Sequence, residues 1–116
     1  GTRVDLRCPD PAANPYLVLA VCLEAGLDGI RNQITPPDAV TENVFEMQLQ
    51  QRAKLGIESL PGDLEQAVEE LEKDDYIKNV LGGHITEKYL EAKRAEWADY
   101  RAQVTEWEIE KYLYKI

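Results

Sequence analysis

Three charged side chains near the start of the chain form the pattern best suited to chemistry. Arg3, Asp5 and Arg7 alternate with two apolar residues. Because successive side chains of an extended strand point to opposite faces, this spacing predicts a short strand over residues 3–7 with its charged groups on one face. A carboxylate between two guanidinium groups can bind a divalent metal together with an anionic ligand. These groups do not complete an active site, so we expect others to join them.

A simpler interpretation of this pattern is a solvent-exposed ladder of cross-strand ion pairs, which is the commoner situation when nothing else supports a site. Structural roles are also favoured elsewhere. The only histidine, His84, follows two glycines at a predicted helix boundary, where we expect a surface or capping role. Helical spacing favours packing over a ligand cage for the aromatic residues Trp97, Tyr100 and Trp107. A solvated face is predicted for the acidic residues Glu65, Glu69, Glu70, Glu72, Asp74 and Asp75.

Size and charge restrict the class of protein. The chain has 116 residues, with 22 acidic and 13 basic side chains and a formal net charge of -9. This length suits one domain that buries roughly two-thirds of its unfolded surface, and the negative charge argues against a nucleic-acid partner. The apolar run over residues 16–25 contains Glu24 and is shorter than the ~20 residues that cross a bilayer, so we expect no membrane span and no signal peptide.

The two cysteines, Cys8 and Cys22, lack the spacing of metal ligands. Cys22 lies within the apolar run, where a thiol usually behaves as a small hydrophobic group. We therefore expect both thiols to be reduced and the protein to be cytoplasmic.

The charged segment is followed by a predicted helix that must help to position it. Asn14 is a good helix cap and Pro15 is favoured at the first helical position, so the helix should run from Pro15 to about Arg31. Its residues are apolar nearly all round, which indicates a helix enclosed on most sides. A chain of this length would struggle to cover it, so we expect part of the protein to be missing.

The remaining signals predict a mainly α fold in which the strand over residues 3–7 is orphaned from its sheet. Pro36 and Pro37 interrupt helical periodicity, and one short helix is expected near residues 48–55. Asp63 should cap the next helix, and Thr105 with Glu108 has the spacing of a capping box. Further helices are expected over residues 76–81, from about 85 to 103, and from 105 to the end. The predicted parts are an active-site strand and turn (1–13), a buried helix (14–31), a wrapping loop (32–61) and a helical tail (62–116).

Several blocks of sequence resemble, in the same order, the end of bacterial type I glutamine synthetase. The first blocks are residues 3–7, 9–16 and 25–30. Further matches are Gly56, Ile57, Leu60, Pro61, Leu64, Ala67, Leu71, Glu91, Ala92, Lys93, Glu96, Trp97, Arg101, Gln103, Val104, Trp107, Glu108 and Tyr112. The resemblance covers the whole chain, although the enzymes of this family are several times longer. It therefore indicates the C-terminal portion of the catalytic domain.

The resemblance implies an ATP-dependent ligase that condenses glutamate with ammonia through γ-glutamyl phosphate, in glutamine biosynthesis and nitrogen metabolism. It implies that Asp5 is a metal ligand for Mg²⁺ or Mn²⁺ and that Arg7 is a catalytic residue that binds glutamate. Arg3 is implied to lie near the phosphates of ATP. The family forms dodecamers of two hexameric rings, which implies a homo-oligomer.

One residue departs from the family pattern, because the family carries glutamate at the position of Asp5. The side chain of Asp5 is shorter by one methylene, so it must either draw the backbone closer to the metal or bind the metal through water. Other readings remain open: a stand-alone acidic helical interaction module, a related ligase that joins glutamate to another amine, and an unrelated acidic helical adaptor. Position 1 is not methionine, so we expect a fragment that is inactive by itself.

Overall fold

A computed structural model describes residues 1–114, and every regular element within them is helical. The α-helices are α1 Pro15–Arg31, α2 Leu49–Lys54, α3 Leu64–Lys73, α4 Asp75–Leu81, α5 Gly83–Arg101 and α6 Glu106–Glu108. A 3₁₀ turn covers Val44–Glu46, and a π-helical turn covers Ile109–Leu113. The predicted mainly α fold is confirmed. The prediction of a final helix extends to residues 115 and 116, which lie outside the described residues.

The helix ends follow from local hydrogen bonding. Asn14 Oδ1 accepts from the backbone N–H groups of Tyr16 and Leu17, at 3.0 and 3.3 Å. Asp63 Oδ1 accepts from the N–H of Gln66 at 2.9 Å, and Thr105 with Glu108 forms the predicted capping box. Each cap satisfies N–H groups that have no partner within the first helical turn. These short-range contacts explain why the starts of α1, α3 and α6 were predictable.

The helix α5 begins and ends two residues earlier than predicted. The helix expected from about residue 85 begins at Gly83 and ends at Arg101. Gly82 has φ 82° and ψ 159°, a conformation that is essentially restricted to glycine. This single residue makes the whole corner between α4 and α5, so Gly83 and His84 are already helical.

The strand predicted for residues 3–7 is wrong for the chain by itself, because these residues form no regular element. A β-strand gains its backbone hydrogen bonds from a neighbouring strand. No such neighbour exists among residues 1–114, and the whole segment 1–8 is exposed.

Helix α1 is covered on one side only. It packs against α4, and the hydroxyl of Tyr76 on α4 donates a 3.0 Å hydrogen bond to the backbone carbonyl of Glu24 on α1. No residue of α1 is buried within the described chain, and Cys22 is exposed. The prediction of a helix enclosed on most sides is therefore not met by this chain, because α4 contacts only one face of α1.

A small core lies among α3, α4 and α5. Val68 on α3 and Leu90 on α5 are buried, and Thr86 is buried beside the α4–α5 corner. The hydroxyl of Thr86 donates to the backbone carbonyl of Lys78 at 3.1 Å, so its polar group is satisfied. Val68, Thr86 and Leu90 are the buried residues among those described in the helical tail. Met47, which follows the 3₁₀ turn and lies outside the tail, is also buried.

The chain is extended rather than compact. Its accessible surface is 10499 Å², whereas a compact protein of this mass exposes ~6,400 Å². The radius of gyration is 18.5 Å, against ~13 Å for a compact domain of this length. The chain thus buries about 45% of its unfolded surface. The prediction that it buries roughly two-thirds of that surface is wrong, because the helices contact one another along narrow faces. No helix of the described residues combines the length and apolarity needed to cross a membrane.

Candidate functional site

The charged residues that opened the sequence lie together on the surface. The Nε and Nη2 atoms of Arg7 donate to the same carboxylate oxygen of Asp5, Oδ2, at 3.1 and 3.0 Å. The side chain of Arg7 is 87% exposed and that of Asp5 is 55% exposed. An ion pair this exposed is weak and easily rearranged. Arg3 is also exposed and forms no ion pair within residues 1–114.

A turn and a cap connect this segment to α1. Asp10 Oδ1 accepts from the N–H of Ala12 at 2.8 Å, and the Asp10 carbonyl accepts from the N–H of Ala13 at 2.9 Å. Asn14 then caps α1 as described above. The turn at Asp10 is followed directly by the Asn14 cap. The charged segment is therefore attached to the start of α1.

Lys93 makes two local contacts within α5. Lys93 on α5 donates to Glu96 at 2.9 Å and lies 5.6 Å from the centre of the Tyr89 ring. The hydrogen bond from Lys93 to Glu96 is the main cause that raises the pKa of Lys93, and the negative charge of Asp10 raises it slightly further.

Several acidic residues on and beside α3 and α4 have structural partners. Glu72 pairs with Arg94 of α5, and the hydrogen bond with the charge of Arg94 lowers the pKa of Glu72. Asp74 caps α4 by accepting from the N–H of Ile77 at 3.0 Å. Within residues 1–114 no three His, Cys, Asp or Glu side chains are grouped so that they could hold a metal. These contacts fit the predicted solvated face.

The other conspicuous residues also make structural contacts. The rings of Trp97 and Tyr100 lie 5.8 Å apart, and those of Trp107 and Tyr112 meet edge to face at the same distance. His84 is exposed in the first turn of α5. The geometry of the described residues thus leaves the segment 1–13 as the candidate site, with one carboxylate and two guanidinium groups.

Comparison with known proteins decides the family. The model of the glutamine synthetase catalytic domain matches residues 1–112, which include the whole candidate site. The chain belongs to the glutamine synthetase family. A glutamine synthetase from Clostridium saccharobutylicum is 51% identical over 115 residues, which are 99% of this chain and 26% of that protein. One from Thermotoga maritima is 52% identical over 114 residues, with 98% and 26% covered.

A solved structure, described as apo GmaS without ligand, has the same fold as this member of the glutamine synthetase family. The TM-score is 0.77 at 41% sequence identity, and the match covers 94% of this chain and 25% of the other. The chain therefore spans about a quarter of the length of the relatives that it matches. The matched quarter is their C-terminal portion, which confirms the resemblance found in the sequence.

Proposed function

We propose that this chain supplies the C-terminal part of a glutamine synthetase, an ATP-dependent ligase that joins ammonia to glutamate through γ-glutamyl phosphate. The observation that carries the proposal is the family match over residues 1–112. Identity of about half to curated glutamine synthetases over almost the entire chain supports it further. The alternatives of a stand-alone interaction module and of an unrelated adaptor are not favoured by these relatives. A ligase that uses another amine is likewise not favoured.

Arg7 is proposed to bind the glutamate substrate and the acyl phosphate. Its planar guanidinium can contact two oxygens of a carboxylate or phosphate at once. In the structure its Nε and Nη2 converge on one oxygen of Asp5 instead. Because this pair is exposed, Arg7 can exchange Asp5 for an anionic substrate at little cost. Its positive charge would then stabilise the negative charge that develops during phosphoryl transfer.

Asp5 is proposed as a metal ligand and Arg3 as a group near the phosphates of ATP. The family generally uses ATP and a divalent metal. Asp5 fits a hard cation such as Mg²⁺ or Mn²⁺ because it offers exposed carboxylate oxygens, but the described residues offer no group of three ligands. Such a metal would neutralise charge on the phosphates. Asp5 is thus one ligand of several, and the others must come from the rest of the enzyme.

The isolated chain is expected to show no synthetase or γ-glutamyl transferase activity, since Arg3, Asp5 and Arg7 lack the other groups of the site. In the complete enzyme we propose the cytoplasm as the location and a dodecamer of two hexameric rings as the assembly. The expected inactivity is measured with purified chain, ATP, glutamate, ammonia and Mg²⁺. Turnover above the background would show that the chain carries a site by itself.

The role of Arg7 is tested in a chimera in which this chain replaces the last quarter of the Thermotoga maritima relative. Replacing Arg7 by alanine should lower kcat/KM for glutamate by about 10²- to 10³-fold, because a charge that stabilises the transition state is lost. Phosphate release is measured at varied glutamate concentrations. Arg94→Ala is the matched control, since it also breaks an arginine–carboxylate pair, and its kcat/KM should stay within about 3-fold of the parent. An unchanged kcat/KM for Arg7→Ala would remove Arg7 from the site.

A further inference from the structure

Three prolines restrict the backbone that joins Arg7 to α1. They stand at positions 9, 11 and 15. A proline ring fixes its own φ at about −65° and confines the preceding residue to extended conformations. Positions 8, 10 and 14 are therefore restricted as well, and Asn14 has the extended backbone that this rule predicts, with φ -68° and ψ 116°. We call residues 8–15 the connection; only Ala12 and Ala13 within it escape the prolines.

Asp10 holds those two remaining residues. Its Oδ1 accepts from the N–H of Ala12 at 2.8 Å, and its carbonyl accepts from the N–H of Ala13 at 2.9 Å. Aspartate at the first position and proline at the second are the residue types that favour such a turn. The side chain of Asp10 is exposed and makes no other hydrogen bond within residues 1–114. Its hydrogen bonding among these residues thus serves the turn alone.

The connection has one anchored end and one exposed end. Asn14 caps α1, and the hydrogen bond from Tyr76 joins α1 to α4. At the other end the side chain of Arg7 is 87% exposed, and its partner is Asp5 of the same segment. Within residues 1–114 the backbone of the connection is therefore what holds Arg7 in place relative to the helices.

We propose that Asp10 is a positioning residue for Arg7. Only Cys8 and Pro9 lie between Arg7 and the turn, and both are restricted, so a closed turn fixes the direction in which the chain leaves α1 towards Arg7. This inference rests on the proposed function, because the task of Arg7 there is to bind glutamate. An arginine that is held in place loses less freedom on binding, and small errors of placement lower the rate of reaction strongly.

The turn needs an acceptor oxygen from Asp10 but no charge. Asparagine also carries an Oδ1 acceptor and is favoured at the same position of such turns. A carboxylate that bound a metal or a proton would instead depend on its charge. The described residues offer no group of three metal ligands that includes Asp10. Asp10→Asn should therefore preserve the role that Asp10→Ala removes.

A double-mutant cycle in the Thermotoga maritima chimera tests the inference. Asp10→Ala should lower kcat/KM for glutamate by about 10-fold, because Arg7 is then held less firmly. Asp10→Asn should stay within about 2-fold of the parent, because the acceptor is kept. In an Arg7→Ala background, Asp10→Ala should change kcat/KM by less than about 2-fold, because a residue that acts through Arg7 has no effect once Arg7 is gone.

Asp63→Ala is the matched control. Asp63 also uses Oδ1 to accept from a backbone N–H, that of Gln66 at 2.9 Å, but it does so at the start of α3. Its loss should leave kcat/KM within about 2-fold of the parent, since no activity depends on that contact. Thermal melts of every variant show whether the protein is folded, and Asp10→Asn keeps the test valid if Asp10→Ala unfolds.

The outcomes separate this inference from the proposed function. An unchanged kcat/KM for Asp10→Ala in an active chimera would overturn the inference and leave the function standing. A full loss from Asp10→Ala in the Arg7→Ala background would also overturn it, because Asp10 would then act independently of Arg7. An equal loss from Asp10→Asn and Asp10→Ala would show that the charge is needed, which contradicts a role in the turn. An inactive parent chimera would contradict the proposed function and, with it, the place of Asp10 in that reaction.

Discussion

At the scale of single residues, Asp5 and Arg7 form an exposed ion pair within the segment that we propose as part of the site. Two donors of Arg7 meet one oxygen of Asp5, and both side chains are surrounded by solvent. Water screens this interaction, so the pair contributes little to the stability of the fold. Its proposed value lies in keeping a cation and a carboxylate together at the point where substrate and metal are expected.

Tyr76 is the residue that most directly joins α1 to the helical tail. Its hydroxyl donates to the Glu24 carbonyl at 3.0 Å. Burial raises the pKa of Tyr76, and the carboxylates of Asp28 and Glu24 raise it further. In the unfolded chain tyrosine ionises near pH ~10, so the stability that this group contributes is present below that pH. It is lost as the pH rises through the higher pKa of the folded state.

We therefore expect Tyr76→Phe to lower Tm at pH 7 by a few degrees, because a hydrogen bond between helices is lost. The difference in Tm between Tyr76→Phe and the parent should become smaller above pH ~10, because the parent loses the stability that the neutral Tyr76 hydroxyl contributes. Circular dichroism melts over a series of pH values measure both effects. Tyr100→Phe is the control, since the Tyr100 hydroxyl makes no hydrogen bond within the described residues, and its Tm should match that of the parent. A constant gap at all pH values would contradict the assigned pKa direction.

At the scale of elements, the corner between α4 and α5 depends on one glycine. Gly82 has φ 82°, and its N–H donates to the Lys78 carbonyl at 2.9 Å while its own carbonyl accepts from Thr86 at 3.0 Å. The Thr86 hydroxyl also reaches Lys78, so both helices are fixed to the same turn. A side chain at position 82 would strain the backbone, whereas Gly83 is simply the first residue of α5 with open space around it.

The two adjacent glycines form a matched pair of substitutions. Gly82→Ala should lower the free energy of unfolding by about 1–3 kcal/mol, because alanine disfavours that backbone conformation. Gly83→Ala should be neutral or raise it by about 0.4–1 kcal/mol, because the unfolded chain loses freedom while the folded backbone is already helical. Urea titrations of both variants measure the difference. Similar effects for the two variants would show that the corner does not depend on the conformation of Gly82.

At the scale of the whole molecule, the large exposed surface predicts a low urea m-value for unfolding. The urea m-value is proportional to the surface exposed on unfolding. Because the chain buries about 45% of its unfolded surface instead of two-thirds, we expect an m-value about two-thirds of that of a compact domain of equal length. Urea titration of the isolated chain beside such a domain measures this. An m-value equal to that of the compact domain would indicate a more closed structure than the 18.5 Å radius of gyration describes.

Features that arise from neighbouring residues could be predicted from the order of residues alone. Asn14, Asp63 and Thr105 cap helices through hydrogen bonds that span two or three residues, so their effects are readable from the order of residues. The motifs around Asp5 and Arg7 indicated the family, which the comparison confirmed. The roles of these site residues stay predictions, since they depend on groups that the described residues do not contain.

The way in which the elements meet depends on contacts between residues that are distant in the sequence. The strand over residues 3–7 does not form because a strand needs a neighbour, and sequence alternation cannot reveal whether one is present. The face of α1 that contacts α4 includes Glu24, whose carbonyl accepts from Tyr76, 52 residues away in the sequence. An apolar helix has several faces that could be buried, so periodicity alone could not show which face of α1 is exposed in this chain. Contacts between distant residues made that selection.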